Sequence, residues 1–326
     1  MNNNTLVKAI ECINNASTVS LLPHISADGD SVGAAFALKL ALEQLNKTAI
    51  IYLEEDVQKR YLFAVRDIDY RTINNADEAA QVESDLAIAL DCSNKDRLGN
   101  RVSILNNSKK TICIDHHISS SPMTQLDYRD INWASCTIGA YYLIKELEIT
   151  VTDKIAELIY IGLATDTGGF RYSNTNPEAH MVAAELLAYN VNTQMISINV
   201  FDNVTYGRYM LNGEAVKRAE FFFDGKVCIC YIPKSVYEKY KATEEDSEGI
   251  VDYLRNVEGT EVIIYVKDRQ EHLKMSMRSK YYVNVFAIAQ KFSGGGHERA
   301  AGADWNGDYD SLKEELLKEL ESIFLE

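Results

Sequence analysis

Positive charge is in deficit in this chain: 33 lysines and arginines stand against 48 aspartates and glutamates in 326 residues, a formal net charge of −15. A surface that grips a long polyanion neutralises phosphates with lysine and arginine, so the deficit argues against a protein that coats long or duplex nucleic acid. A phosphate-bearing ligand has to be short, and held locally by metal ions or a few arginines. Long apolar runs are missing too. The best candidate, "VGAAFALKLALEQL", is broken by Lys39 and Glu43 and falls short of the roughly 18 apolar residues a membrane helix needs, which leaves no membrane partner. The opening "MNNNTLVKAIECINN" lacks the basic-then-apolar layout of a secretion signal. Cysteine is scarce: six residues with no CxxC pair read as reduced thiols of a cytoplasmic protein. Cys228 and Cys230 in "KVCICYI" have strand spacing and read as core filler.

What is present alternates. "STVSLLPH", "TAIIYLE", "DLAIALD" and "KTICID" are β-branched and apolar, and "SVGAAFALKLALEQL" between the first two has helical spacing. Such alternation predicts an α/β fold, a parallel sheet with helices on both faces. Three helical segments follow, "SCTIGAYYLIKELEI", "DKIAELIYIGLATDT" and "PEAHMVAAELLAYN". Beyond them the pattern changes. "FFFDGKVCICYI" reads as a hairpin turning at Asp224-Gly225, and "TEVIIYVKDRQEHLKMSMRS" as two strands. "VNVFAIAQKF" and the stretch from Tyr309 to Phe324 read as helices. A chain of this length is expected to split. The predicted division is a first domain over 1–190, a connector over 191–207, and a smaller α+β domain over 208–326.

In open parallel sheets, ligands bind beyond the carboxyl ends of the strands. Those ends carry an unusual set here. "HISADGD" supplies His24, Asp28 and Asp30, "LAIALD" supplies Asp91, and "TICIDHH" supplies Asp115, His116 and His117. Asp166 in "GLATDTGGF" interrupts an apolar helix just before two glycines. Each residue alone has an ordinary reading: Asp28-Gly29-Asp30 as a turn with a helix cap, Asp91 as a turn, Asp166 as a helix end. Together, oxygen and imidazole donors converging from several strand ends are what two divalent cations of the manganese or magnesium type need. Thiolate of zinc-type spacing is absent from the set.

"HISADGDSVG", "ALDCSN", "IDHHIS" and "ATDTGGF" resemble the four successive motifs of the DHH phosphoesterases. "SGGGHERAAG" resembles the glycine-rich signature of their DHH-associated C-terminal domain. The resemblance runs from about residue 5 to 325, and the length and the absence of sensor or membrane segments are similar to the nanoRNase/pAp phosphatase branch. It implies a two-metal phosphoester hydrolase acting on short oligoribonucleotides or on 3′-phosphoadenosine 5′-phosphate (pAp), with manganese as the first candidate cofactor. His24 and Asp28 would hold one metal, Asp30, His116 and Asp166 the other, and Asp91 would bridge them. His117 would face the scissile phosphate without coordinating, and Asp115 would orient a histidine ring. The chain departs from the family pattern at Ala27, where proline is frequent, at Ala34, where serine is frequent, and at Glu298, again where proline is frequent. None of these removes a ligand.

The second domain is expected to supply recognition. Gly294, Gly295 and Gly296 would let backbone N–H groups approach a phosphate, and Arg278, Ser279, His297 and Arg299 would add donors. Two other readings use the same residues: turnover of pApA, pGpG or cyclic dinucleotides, and a non-catalytic nucleotide sensor. The sequence leaves a homodimer open.

Overall fold

The structure is a computed structural model that describes residues 3–117, 122–269 and 271–324. The chain divides into two compact units, Met1–Asn203 and Val204–Glu326. The first unit opens with α1 (Asn3–Asn15), β1 (Thr18–Pro23), α2 (Gly29–Gln44), β2 (Thr48–Leu53), α3 (Leu62–Val65), β3 (Arg71–Thr72) and α4 (Ala76–Ala79). It continues with β4 (Leu86–Leu90), α5 (Val102–Asn107), β5 (Lys110–Asp115), β6 (Leu126–Arg129), α6 (Cys136–Glu146), α7 (Asp153–Asp166), α8 (Pro177–Leu186) and α9 (Thr193–Ser197). Its six strands order β3-β2-β1-β4-β5-β6, and every pairing is parallel.

The two-residue period of each strand sends alternate side chains to opposite faces. Leu21, Ile88, Ile112 and Ile114 join the large core built with α2, α6 and α7. Leu22, Ala87, Ala89 and Cys113 join a smaller core that includes Ile104 and Leu105 of α5. Both faces are therefore covered, as the near-continuous apolar strands imply. In α2, the interruptions that ruled out a membrane span serve the fold: Lys39 is buried, and its Nζ lies 2.8 Å from Glu43 and 2.8 Å from the Ala49 carbonyl. Among the described residues, no helix is long and apolar enough to cross a membrane.

The expected connector takes a different form. Residues Thr193–Ser197 are α-helical and Ile198–Asp202 form a π-turn. Ile196 and Val200 are buried in the first core, so apolar anchoring carries helical structure to the end of the first unit. The division between the units falls after Asn203.

The second unit holds α10 (Tyr206–Arg218), β7 (Ala219–Phe222), β8 (Val227–Ile232), α11 (Lys234–Tyr240) and α12 (Ile250–Arg255). It ends with β9 (Val262–Arg269), β10 (His272–Ser279), α13 (Val285–Lys291), β11 (Gly295–His297), β12 (Ala300–Trp305) and α14 (Tyr309–Phe324). The sheet orders β11-β12-β10-β9-β8-β7 and is mixed, with β8 and β9 parallel and the remaining pairs antiparallel. Leu312, Leu316 and Leu320, at helical spacing on α14, pack on one face with Met275, Met277 and Ile264. Cys228 and Cys230 are buried on the other face against Leu211, Ala215 and Leu254, the filler role read from their spacing.

Candidate active site

The carboxyl ends of β1, β4 and β5 bring His24, Asp91 and His116 together, because adjacent parallel strands finish at one edge. Asp28 caps α2, its Oδ1 accepting the N–H groups of Asp30 and Ser31. The cap reading of Asp28 therefore holds, and the same carboxylate also stands 3.5 Å from His24 Nε2. Asp30 sits in the first turn of α2, fully buried, accepting the Thr137 N–H at 2.9 Å and the Cys136 N–H at 2.5 Å from the start of α6. Asp166 ends α7, with the Asn174 amide on its backbone and side chain.

Donor atoms fall into groups. His24, Asp28 and Asp91 form one set that could hold a metal ion, and Asp30, His116 and Asp166 another. Asp91 faces both: its Oδ2 lies 3.4 Å from His24 Nε2, and its Oδ1 lies 3.4 Å from His116 Nε2. Asp166 and Asp30 lie 3.5 and 3.8 Å from His116 Nε2. These separations exceed hydrogen-bond length. Those of 3.4 and 3.5 Å suit the edges of a coordination polyhedron, roughly 3.0–3.6 Å for metal–ligand bonds of about 2.1 Å, and the Asp30 separation is slightly longer.

Two further observations fit cations. Among the described residues, Asp91 Oδ1 is buried without a hydrogen-bond partner, a costly condition that a cation relieves. The far nitrogens of the two histidines meet backbone carbonyls, His24 Nδ1 at 2.6 Å from Ile25 O and His116 Nδ1 at 3.3 Å from Trp133 O. Nδ1–H donation to Trp133 O leaves the His116 Nε2 lone pair free for a metal, and His24 Nδ1 lies between the Ile25 carbonyl and the Arg97 guanidinium.

Electrostatics agree. Burial alone would lower the His24 and His116 imidazoles, but facing carboxylates outweigh it and hold both up to about 10. Burial, then the charges of Asp91 and Asp166, pushes Asp30 well above the carboxylate range; burial foremost lifts Asp166 to about 6. Burial opposes the ionised form of Asp91, yet His116 and His24 hold its carboxyl below the ordinary range. The cluster demands positive charge at its centre.

His117 differs from its neighbour. Its Nδ1 lies 2.8 Å from Asp115 Oδ1, and its side chain is 47% exposed. That bond raises the imidazole pKa. Nδ1 is also 3.5 Å from Asp91 Oδ1, so a third grouping of Asp91, His116 and His117 exists. Asp115 is fully buried and ion-paired at 3.2 Å with Arg129, a residue the sequence did not flag. Arg97, also unflagged, brings Nη2 to 2.9 Å from His24 Nδ1. Neither arginine sits in a motif with its own spacing signal, and β6, which ends at Arg129, is only four residues long.

In the second unit the expected recognition residues are used differently. Ser279 is 2% exposed and donates its hydroxyl to Val283 O at 2.6 Å, so it is a structural tie and offers a ligand no free donor. The glycine run is an edge strand rather than an open loop: β11 pairs with β12 through Gly295↔Gly302 and Gly296↔Ala301. Gly294 donates its N–H to Ala289 O, and a Cβ there would meet Gly302 O at 2.3 Å. Gly296 has a φ of 140°. The glycines thus permit close strand approach. Arg278 lies 3.3 Å from Asp252, and Arg299 donates to Val283 O at 2.8 Å and faces Glu298 at 3.3 Å. The side chain of His297 lies outside the described residues.

Comparison with known proteins returns the same architecture. The model of the DHH family N-terminal domain matches residues 18–163, and that of the DHHA1 domain matches 224–326. The bifunctional oligoribonuclease and PAP phosphatase NrnA of Thermus thermophilus is 31% identical over 96% of this chain and 90% of its own length. The Bacillus subtilis protein of the same name is 25% identical over 90% and 91%. The fold is shared with an exopolyphosphatase-related protein from Bacteroides fragilis, at a TM-score of 0.90 and 21% identity over 99% of this chain and 98% of that one. With both family models matched in order and the strand-end donors assembled, this chain belongs to the DHH phosphoesterase family.

Proposed function

We propose that this protein is a metal-dependent phosphoesterase that hydrolyses oligoribonucleotides a few residues long to mononucleotides, and 3′-phosphoadenosine 5′-phosphate to AMP. The carrying observation is Asp91, whose two oxygens each face a different histidine of a different donor group. The likeness to a relative named for both activities supports the substrate class.

His24, Asp28 and Asp91 would hold one cation, and Asp30, His116, Asp166 and Asp91 a second, with manganese as the proposed metal. Bound there, divalent cations lower the pKa of water toward neutrality and neutralise charge on phosphoryl oxygens. The chain's own groups do the rest. Backbone N–H groups at the start of α6 fix Asp30. Asp115 holds the His117 proton on Nδ1, favours the imidazolium and leaves Nε2 as donor to a phosphate oxygen or to the departing 3′-oxygen. Arg278 and Arg299 are the proposed phosphate partners in the second unit.

A panel of kcat/KM values with manganese tests this reading. It comprises di- to pentaribonucleotides, 3′-phosphoadenosine 5′-phosphate, pApA, pGpG and cyclic dinucleotides. We expect turnover of the short linear RNAs and the bisphosphate, abolished by chelation and restored by manganese. No turnover of either, or a clear preference for cyclic dinucleotides, overturns it.

A further inference from the structure

A cleft of about 460 Å³ opens in the second unit, with β9 and β10 forming one wall and residues 244–252 the other. On the strand wall, Lys267 and Lys274 are directly opposite in antiparallel register. Like charges so placed destabilise a sheet, because their Cβ atoms stand about 5 Å apart. The chain does little to relieve them. Lys267 donates to Ser247 Oγ at 3.0 Å, and among the described residues no carboxylate lies within 4 Å of either ammonium. Burial foremost, with the Lys274 charge, lowers the pKa of Lys267, against the opposing pull of Glu244. Arg278 lines the same wall, four residues along β10 and therefore about 13 Å from Lys274.

The facing wall presents Glu244, Glu248 and Asp252. Among the described residues, Arg278–Asp252 is the one ion pair that crosses the cleft. The cleft is therefore cationic on one side and acceptor-rich on the other. A nucleotide has the matching duality: an anionic phosphate, with ribose hydroxyls and base amino groups that donate hydrogen bonds.

We infer that this cleft is a nucleotide subsite, with a phosphate between Lys267 and Lys274 and the sugar and base donors toward Glu244 and Glu248. The inference rests on the proposed function in taking the ligand to be a residue of a short oligonucleotide. The positions of Arg278 and Lys274 are about 13 Å apart along β10, so a substrate with further residues can engage both.

Direct binding separates this claim from the activity. Titration calorimetry of the metal-free full-length protein with 5′-AMP is expected to show binding that Lys274→Ala weakens about tenfold and Lys274→Arg largely retains. Inorganic phosphate is expected to bind more weakly than AMP; equal binding overturns the nucleotide assignment. Absence of AMP binding to the parent protein, or an affinity indifferent to Lys274→Ala with Tm unchanged, overturns the subsite. In turnover, Lys274→Ala is expected to lower the ratio of kcat/KM for a tetraribonucleotide to that for 3′-phosphoadenosine 5′-phosphate; an unchanged ratio counts against it. If no oligonucleotide is hydrolysed but AMP binding depends on Lys274, the proposed function fails and the subsite stands.

Discussion

At the scale of single residues, Asp91 concentrates the site's demands. It is buried, one of its oxygens has no hydrogen-bond partner among the described residues, and its backbone sits at a φ of 59°. That left-handed conformation costs most side chains about 1 kcal/mol or more, and aspartate and asparagine tolerate it best. Strain of this type persists where surrounding structure over-determines it, a recurrent property of functional sites. Alanine is therefore a poor probe, since it would combine lost ligation with backbone strain. Asparagine keeps the shape and the conformation while removing the charge. Asp91→Asn is expected to cut kcat by at least about a thousandfold, a loss of roughly 4 kcal/mol in transition-state stabilisation. It should also abolish most of the manganese-induced rise in Tm, while leaving the metal-free Tm within a few degrees. Full activity, or an undiminished manganese shift, would remove Asp91 from the centre of the scheme.

At the scale of elements, the position of the acids depends on how closely α2 and α7 approach. A Cβ at Gly33 would stand 2.4 Å from Leu158 O. One at Gly162 would stand 2.3 Å from Thr137 Cγ2 and 3.0 Å from Asp30 Oδ1. Asp30 rides the first turn of α2 and Asp166 the last of α7, so separating these helices displaces both acids from His116. Gly162→Ala is expected to cost about 1–3 kcal/mol of stability, as overpacking does, and to weaken manganese binding measured by calorimetry. A Cβ at Gly213 in α10 would meet no other group of the described residues within 4 Å beyond its own helix backbone and chain neighbours. Gly213→Ala should gain about 0.5–1 kcal/mol with manganese affinity unchanged. If Gly162→Ala behaves like Gly213→Ala, the close approach is not what sets the site. Nothing in the sequence announced this contact, because a glycine's value there lies in a neighbour far along the chain. The strands leading to His24, Asp91 and Asp115 were legible, since each is an apolar run cut off by a polar residue. By contrast, β6 was illegible: "LDYR" has too few apolar residues to stand out, and pairing with β5 makes it a strand. The glycine run has a part the sequence did not show. Glycine signals freedom in isolation, but Gly294 and Gly296 are glycines because β12 comes too close for a side chain.

At the scale of the whole molecule, the formal charge of −15 sets a field that every phosphate chain has to enter. The cationic groups proposed for substrate are few and local: Arg278 and Arg299 each have an acid beside them, Asp252 and Glu298, and Lys267 and Lys274 stand opposite each other. A dinucleotide carries little charge and is dominated by those local contacts. A long RNA extends beyond them and meets the acidic surface at range, where repulsion is screened over about 10 Å at 0.1 M salt and about 30 Å at 0.01 M. Raising ionic strength from low to physiological values should therefore help the long substrate relative to the short one. The ratio of kcat/KM for a 20-nucleotide RNA to that for a dinucleotide is expected to rise several-fold between 10 and 150 mM salt at fixed manganese. A basic binding track predicts the opposite, since log affinity for single strands falls with log salt at a slope of about −0.7 per neutralised phosphate. A ratio that falls along such a slope would show a cationic path for long RNA, and the restriction to short substrates would then need a steric cause.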